Sequence, residues 1–258
     1  DSEFNPSGSM TVGELRISGS SEEEYLVSTY CCHPSMANDN LSGLLVTTLL
    51  ARDMLALGKL NKCWRFVFVP ETIGAIAYLC NNKAGMKKVS GGLVVTTCGG
   101  PGPFGYKETF LGNHTVDRAI QLAFRDQGIT PIHYSFAPDG SDERQYSSPG
   151  FRIPVATITR DKYYEYSQYH TSADNLDFVT GDQISETLSI YRDVLRMLDE
   201  NVCYQSRKPY GEAQLGKAGL YPKMGGAVNQ LSASKGVKQA EQKLNAITWL
   251  LFLADGKH

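Results

Sequence analysis

The stretch YLVSTYCCHPSMANDNLSGLLVTTLLARDMLALG, residues 25–58, decides the fold because it joins two buried segments through one polar loop. Residues 25–29 are mostly apolar and rich in β-branched side chains, which is typical of a strand buried on both faces of a parallel sheet. Residues 41–58 are apolar almost all round and predict a core helix. Between them, the polar loop carries several side chains of types that bind metals, including His33 and Asp39.

The same alternation of strand and helix continues along the chain. Apolar runs predict further strands over residues 64–69, 93–98 and 154–159, and helical patterns cover residues 73–83, 115–128 and 184–201. This order predicts an α/β fold with a mostly parallel central sheet and helices on both faces.

Length and composition indicate one α/β domain with a small appendage. We assign residues 1–203 to the main domain and residues 204–258 to a Gly-, Pro- and Lys-rich linker followed by one amphipathic helix. The 258 residues carry a net charge of −2, so no nucleic-acid partner is expected for the main domain.

The cysteines and the apolar runs bear on the compartment. Six cysteines are scattered without CxxC spacing, so we interpret them, Cys31 and Cys32 included, as reduced structural thiols of a cytoplasmic protein. No uninterrupted apolar run has the length of a membrane span, and the polar start DSEFNPSGSM is unlike a signal peptide.

Metal-binding and acid–base side chains follow several of the predicted strands. His33 and Asp39 follow the first strand, Glu71 follows the second, and His170 follows the last. Ligands of open α/β sheets bind beyond the carboxyl ends of the strands. These four residues therefore predict the site of a metal-dependent hydrolase at that edge of the sheet.

Each of these residues also has a simpler interpretation. Pro34 cannot continue a strand, and the asparagines beside Asp39 favour turns and helix caps. Glu71 could complement the dipole of the helix that follows it. His170 could be an ordinary hydrogen-bonded histidine in a Tyr-rich loop.

The metal hypothesis assigns a role to each group. His33, Asp39 and His170 form a set of three ligands, which leaves one position open on a zinc ion, as catalytic sites need. Glu71 is then the candidate general base, because a carboxylate that is not a ligand can accept a proton from water. Asp174 follows His170 by four residues and could orient an imidazole or cap a turn.

A second polar segment, DGSDERQYSSPGF, covers residues 139–151. It could form a turn and a short capped helix, or bring Asp142 close to the metal shell and Arg144 onto a substrate carboxylate. Tyr169, in the nearby segment KYYEYSQYH, could line the substrate pocket, stabilise an oxyanion, or simply pack.

Four motifs in order, HPSMANDNLSG, VPETIGAIAYL, GSDERQYSSPGF and YHTSADNLD, give the chain a family resemblance. It resembles the zinc aminopeptidase superfamily, peptidase clan MH, and more closely a bacterial aminopeptidase-like branch with a C-terminal winged helix. The resemblance implies a three-layer phosphorylase/hydrolase-like fold with zinc at the strand ends and a glutamate base. The segment AITWLLFLADGKH resembles the opening helix of that winged helix, which is expected to be truncated here.

The chain departs from the superfamily at two ligand positions. Two-zinc members carry an acidic pair where this chain has Glu71 and Thr72, and an aspartate ligand where it reads VVTTCGG. The base position is kept and one ligand of each metal is lost. The resemblance therefore implies one zinc ion instead of two.

We expect a zinc-dependent, aminopeptidase-like hydrolase that cleaves a peptide or amide bond in a small peptide or an amide-containing metabolite. Two alternatives stay open. The zinc site could catalyse acyl transfer or cyclisation, as in the related glutaminyl cyclases, or deacylate an amino sugar. The domain could also be a non-catalytic binding module with a peptidase fold.

Overall fold

A single twisted sheet organises the main part of the chain. The computed structural model describes residues 5–211, 214–220 and 235–256. Its strands are β1 (Gly13–Ile17), β2 (Glu24–Cys31), β3 (Cys63–Pro70), β4 (Val89–Val95), β5 (Phe104–Lys107), β6 (Ile132–Tyr134) and β7 (Val155–Arg160). Among the described residues these seven strands are ordered β1-β3-β2-β4-β7-β5-β6.

The centre of the sheet is parallel. Strands β3, β2, β4 and β7 pair in parallel, as do β5 and β6, whereas β1 and β5 run antiparallel to β3 and β7. The predicted mostly parallel sheet is confirmed. Strands β1, β5 and β6 were not predicted, because they are short and none of them is a long, continuous apolar run.

Helices cover both faces, which confirms the three-layer architecture. They are α1 (Gly43–Leu57), α2 (Ile73–Asn81), α3 (Lys83–Met86), α4 (Thr115–Asp126), α5 (Glu143–Tyr146), α6 (Gly181–Glu200) and α7 (Lys235–Leu253). Helices α1, α4 and α6 pack together on one face of the sheet, and α2 and α5 pack together on the other.

Strand β2 shows why the central runs are apolar throughout. Its side chains alternate between the two faces of the sheet. Tyr25 and Val27 enter the core under α1, α4 and α6, whereas Leu26 and Tyr30 enter the core under α2 and α5. Because both faces are covered, the strand has no solvent-facing positions at its centre.

Strand β4 ends earlier than the apolar run suggests. Residues 93–98 were predicted as a strand, but the strand ends at Val95. Thr97 has a positive φ of 46°, and its N–H donates to the side chain of Asn40 at 3.2 Å. The last residues of the run therefore leave the sheet and are hydrogen-bonded to the turn that carries Asp39 and Asn40.

Helix α1 is both long and apolar. Together with the turn before it, Ala37–Leu57 has a mean hydropathy of 1.2 over an 18-residue window, which by length and composition alone would allow a membrane span. Of that window, 44% is buried inside the protein, where α1 packs on β2 and α6. Core helices pass the same test, so the stretch is weak evidence for a span.

Residues 201–258 form a second compact unit and are described by themselves. Within this unit, α7 is the main element, and Gln205 pairs with Asp255 in an isolated antiparallel bridge. The assignment of this segment to a linker and the start of a winged helix stays a prediction.

The start of α1 yields a stability prediction. A Cβ on Gly43 would lie 2.2 Å from Asn40 Oδ1 and 2.5 Å from the carbonyl oxygen of Val95. We expect Gly43→Ala to lower the free energy of unfolding by about 1–3 kcal/mol, because overpacked sites must shift their surroundings. Chemical denaturation measures the change. Gly181→Ala is the matched control, since its Cβ would meet nothing within 4 Å; an equal loss in both variants would contradict the prediction.

Candidate metal centre

The parallel strands deliver the predicted residues to one edge of the sheet. His33 lies just beyond β2, Glu71 just beyond β3, and His170 in the loop after β7. Asp39 belongs to the short helical turn Ala37–Ser42 that precedes α1. Because these strands run in the same direction, the structure brings the four predicted side chains together.

Asp39 is the centre of this group. Its side chain is only 4% exposed, and its Oδ2 lies 3.6 Å from His33 Nδ1 and 3.2 Å from His170 Nε2. The two imidazole centroids are 4.1 Å apart. Burial raises the pKa of the Asp39 carboxyl, and the neighbouring histidines partly oppose that shift.

One polar atom in this group has no hydrogen-bond partner among the described residues. His33 Nδ1 is buried and makes no hydrogen bond. It faces Asp39 Oδ2, which lies at ion-pair distance from both imidazoles. Buried polar atoms are normally hydrogen-bonded, so the orphaned nitrogen beside a buried carboxylate fits a site for a further ligand. Two imidazoles and a carboxylate are a donor set that zinc accepts.

Asp174 holds the loop that carries Asp39. Its carboxylate accepts the backbone N–H of Asn38 at 2.6 Å and of Asp39 at 3.0 Å, and the hydroxyl of Tyr166 at 3.2 Å. Of the two roles predicted for Asp174, orienting an imidazole or capping a turn, its hydrogen bonds among the described residues match the second, because it accepts backbone N–H groups of the turn that carries Asp39. It therefore joins the loop of His170 to the loop of Asp39.

Asn40 fixes the other side of the same loop. Its amide nitrogen donates to Thr29 Oγ1 and to the carbonyl oxygen of Tyr30, both at 3.1 Å. Its amide oxygen accepts the backbone N–H groups of Gly43 and Thr97, both at 3.2 Å. Asn40 thus has a structural role beside the candidate ligands.

Glu71 lies next to the histidine and aspartate group without belonging to it. Its backbone N–H donates to the carbonyl oxygen of Cys31 at 2.9 Å, and Ser141 Oγ lies 3.5 Å from its Oε1. Burial and the charge of Asp39 raise the pKa of Glu71, while the charges of His33 and Arg144 oppose the shift. A carboxyl with a raised pKa is better matched to proton transfer near neutral pH.

Thr72 and Asp142 form a hydrogen-bonded pair next to Glu71. Thr72 has a φ of 59°, which is unusual for a β-branched residue, and its N–H donates to Asp142 Oδ1 at 2.7 Å. Asp142 Oδ2 is buried without a partner. Burial, followed by the charges of Glu71 and Glu143, raises the pKa of Asp142 to about 7. Asp142 therefore lies on the Glu71 side of the site.

Arg144 and Tyr169 complete the set of predicted residues. The Nε of Arg144 is buried and unpaired, and no hydrogen bond joins its guanidinium to a described residue. Its charge nevertheless opposes part of the rise in the pKa of both Glu71 and Asp142. The Tyr169 ring stacks on His170 at a centroid distance of 3.7 Å and an angle of 18°.

Cys32 belongs to this group although the sequence analysis treated it as structural. Its sulfur lies 3.6 Å from Asp39 Oδ1, and the ligand atoms of Cys32, His33 and Asp39 lie within 4.8 Å of one another. Burial and the charge of Asp39 raise the pKa of its thiol. In the sequence, the only indication that Cys32 lies in this group was its position directly before His33 at a strand end.

Solved structures place this fold among the zinc aminopeptidases. A zinc aminopeptidase from Bacillus subtilis superposes with a TM-score of 0.62 at 17% identity, over 76% of this chain and 51% of that one. A candidate peptidase from Clostridium acetobutylicum superposes with a TM-score of 0.77 at 36% identity, over 96% of this chain and 53% of that one. The chain therefore has the fold of an aminopeptidase, as its motifs predicted.

Sequence comparison identifies the family. Residues 5–201 match the model of a domain of unknown function (DUF4910), and residues 202–258 match a winged helix-turn-helix. The chain belongs to the DUF4910 family. It is also 39% identical, over 97% of its length, to a Clostridium acetobutylicum protein named for polysaccharide biosynthesis and an aminopeptidase-like domain. The chain spans about half the length of these two clostridial relatives, 55% of one and 53% of the other.

The raised pKa of Asp142 predicts a pH dependence of stability. Between about pH 4 and pH 7 the folded chain holds a proton on Asp142 that the unfolded chain has released, so this group stabilises less as the pH rises. Asp142→Asn removes the effect. We therefore compare the two proteins at each pH. The free energy of unfolding of Asp142→Asn minus that of the wild type should increase by a few kcal/mol across that range.

Chemical denaturation at several pH values measures this difference. Asp139→Asn in the same segment is the matched control, because the Asp139 side chain is 80% exposed. A difference between Asp142→Asn and wild type that stays constant with pH would show that Asp142 is ionised in the folded protein.

Proposed function

We propose that this domain is a metal-dependent hydrolase of peptide or amide bonds, with one zinc ion held by His33, Asp39 and His170. The observation that supports it is the convergence of His33 Nδ1 and His170 Nε2 on Asp39 Oδ2, with the buried His33 Nδ1 left without a hydrogen bond among the described residues. Zinc bound there would lower the pKa of a water molecule and polarise the scissile carbonyl.

Glu71 is the proposed general base. It lies close enough to Asp39 and His33 for their charges to affect its pKa, yet no ion pair or hydrogen bond joins it to either imidazole among the described residues. Its raised pKa suits a group that first accepts a proton from water and later returns it to the leaving amine. Ser141, at 3.5 Å, and the charge of Arg144 stabilise the ionised form of Glu71.

The residues around the site support one ion better than two. The second acidic position of the two-zinc enzymes is Thr72, whose N–H is occupied by Asp142. At the end of β4, the buried side chains of Thr96 and Cys98 stand where an aspartate would be needed. Neither position offers a carboxylate.

Arg144 is the proposed contact for a charged group of the substrate. Its guanidinium makes no ion pair or hydrogen bond within the described part of the chain, although it lies within electrostatic reach of Glu71. A planar guanidinium with free donors binds a carboxylate through two parallel hydrogen bonds. A small peptide or acylated amino acid with a free carboxylate is the expected substrate.

The relative named for polysaccharide biosynthesis supports a second candidate, the deacylation of an N-acylated amino sugar. The same three groups would serve, because both reactions begin with attack of water on an amide carbonyl. Assays on free dipeptides, N-acetylated amino acids and N-acetylated amino sugars separate the two candidates.

The role of Glu71 gives a direct test. Glu71→Gln keeps the shape of the side chain but cannot accept a proton, so we expect turnover to fall by about 10²–10⁴-fold. Zinc content, measured by atomic emission, should stay near one ion per chain. Glu22→Gln on the surface is the matched control and should keep full activity.

Two outcomes would contradict the proposal. If the purified protein holds no zinc and His170→Ala changes neither zinc binding nor activity, the domain is a binding module. If Glu71→Gln keeps wild-type turnover, another group is the base. His133→Ala is the control for the histidine variant, because His133 is exposed and pairs with Glu108 at the edge of the sheet.

The role of Arg144 is tested with paired substrates. We expect Arg144→Met to raise KM by about 10–100-fold for substrates with a free carboxylate, the value of a charged hydrogen-bonded pair, and to change KM little for their amides. Arg118→Met on the exposed side of α4 is the control. An equal increase for acids and amides would remove Arg144 from substrate binding.

A further inference from the structure

Cys32 occupies a place in the metal centre that the superfamily motifs do not assign. Its sulfur lies 3.5 Å from the carbonyl oxygen of Asp39 and 3.6 Å from Asp39 Oδ1. Cys32 immediately precedes His33, so one short segment after β2 offers both a sulfur and a nitrogen to the same space.

The distances within the group match those of a metal site. Tetrahedral zinc with sulfur at about 2.3 Å and nitrogen or oxygen at about 2.0–2.1 Å places neighbouring ligand atoms roughly 3.3–3.6 Å apart. Asp39 Oδ1 lies 3.6 Å from the sulfur of Cys32, and Asp39 Oδ2 lies 3.6 Å from His33 Nδ1 and 3.2 Å from His170 Nε2. The spacing of these ligand atoms around Asp39 is therefore close to that of a zinc site.

A separate observation indicates that a ligand belongs here. His33 Nδ1 is buried without a hydrogen-bond partner among the described residues, and it faces Asp39, whose side chain is only 4% exposed. A buried polar atom without a hydrogen bond is costly. A cation between the four side chains would remove that cost.

The other nearby cysteines do not fit. Cys31 is exposed at the end of β2, and Cys98 is fully buried with its sulfur directed to the carbonyl oxygen of Thr96 at 3.5 Å. Of the three thiols near this edge, the sulfur of Cys32 is the one grouped with His33 and Asp39.

We propose that Cys32 is a fourth protein ligand of the metal ion, so that the site is a Cys, Asp, two-His set that replaces ligands lost at Thr72 and near Cys98. This inference rests on the metal site proposed above. On binding, the thiol releases its proton to solvent and the thiolate donates an electron pair to the ion. Zinc sites can expand to five ligands, so the additional sulfur is compatible with a hydrolase.

A thiolate ligand also changes which metals bind. Soft sulfur donors favour zinc over manganese or magnesium, which prefer oxygen ligands. The chain should therefore select zinc more strongly than a set of two histidines and one aspartate would.

X-ray absorption at the zinc edge tests the proposal on the full chain loaded with one equivalent of zinc. We expect one sulfur at about 2.3 Å in the wild type and in Cys31→Ser, and only lighter atoms at about 2.0–2.1 Å in Cys32→Ser. Zinc titration should show a loss of affinity of at least roughly tenfold in Cys32→Ser, together with weaker discrimination against manganese.

The outcomes separate this inference from the proposed function. Wild-type protein that binds zinc without a sulfur neighbour overturns the role of Cys32 and leaves the three-ligand site intact. Protein that binds no zinc overturns both. If the sulfur signal disappears in Cys31→Ser, the ligand is Cys31 and not Cys32, and the proposal is overturned. If Cys32→Ser fails to fold, the wild-type and Cys31→Ser spectra still show whether a sulfur other than that of Cys31 binds the zinc.

Discussion

The side-chain amide of Asn40 is the contact on which the rest of the site depends. Both ends of the amide are used, so the end of β2, the start of α1 and the turn out of β4 meet at one buried group. Hydrogen bonds in such a low-dielectric interior are strong when satisfied and costly when broken. Asp39 is the preceding residue, so its position follows from this network.

The parts of the molecule that could be predicted are those in which a local pattern has one structural solution. A continuous apolar run such as β2 can only be buried on both faces, and α1 follows it because a parallel strand needs a crossover. Parallel strands then place their carboxyl ends together. For that reason His33, Glu71 and His170 could be assigned to one edge of the sheet from their order in the sequence.

The parts that could not be predicted depend on contacts between distant residues. Strand β1 alternates between half-buried and exposed positions, and an edge strand of this kind carries little apolar signal. The contacts of Asp174 are with backbone N–H groups 135 and 136 residues away, which side-chain spacing cannot reveal. Cys32 was missed because a thiol next to a buried strand usually behaves as a small apolar group, and only the path of the loop brings it to Asp39.

The bond between Asp174 and the loop of Asp39 has a consequence for folding. It joins segments from opposite ends of the main unit, and both must be positioned by a completed sheet, since β7 is built last along the chain. Closing a loop of this length costs more chain entropy than forming a local contact. The proposed metal site would therefore need the completed sheet, because the segment after β2 alone offers only His33 and Cys32.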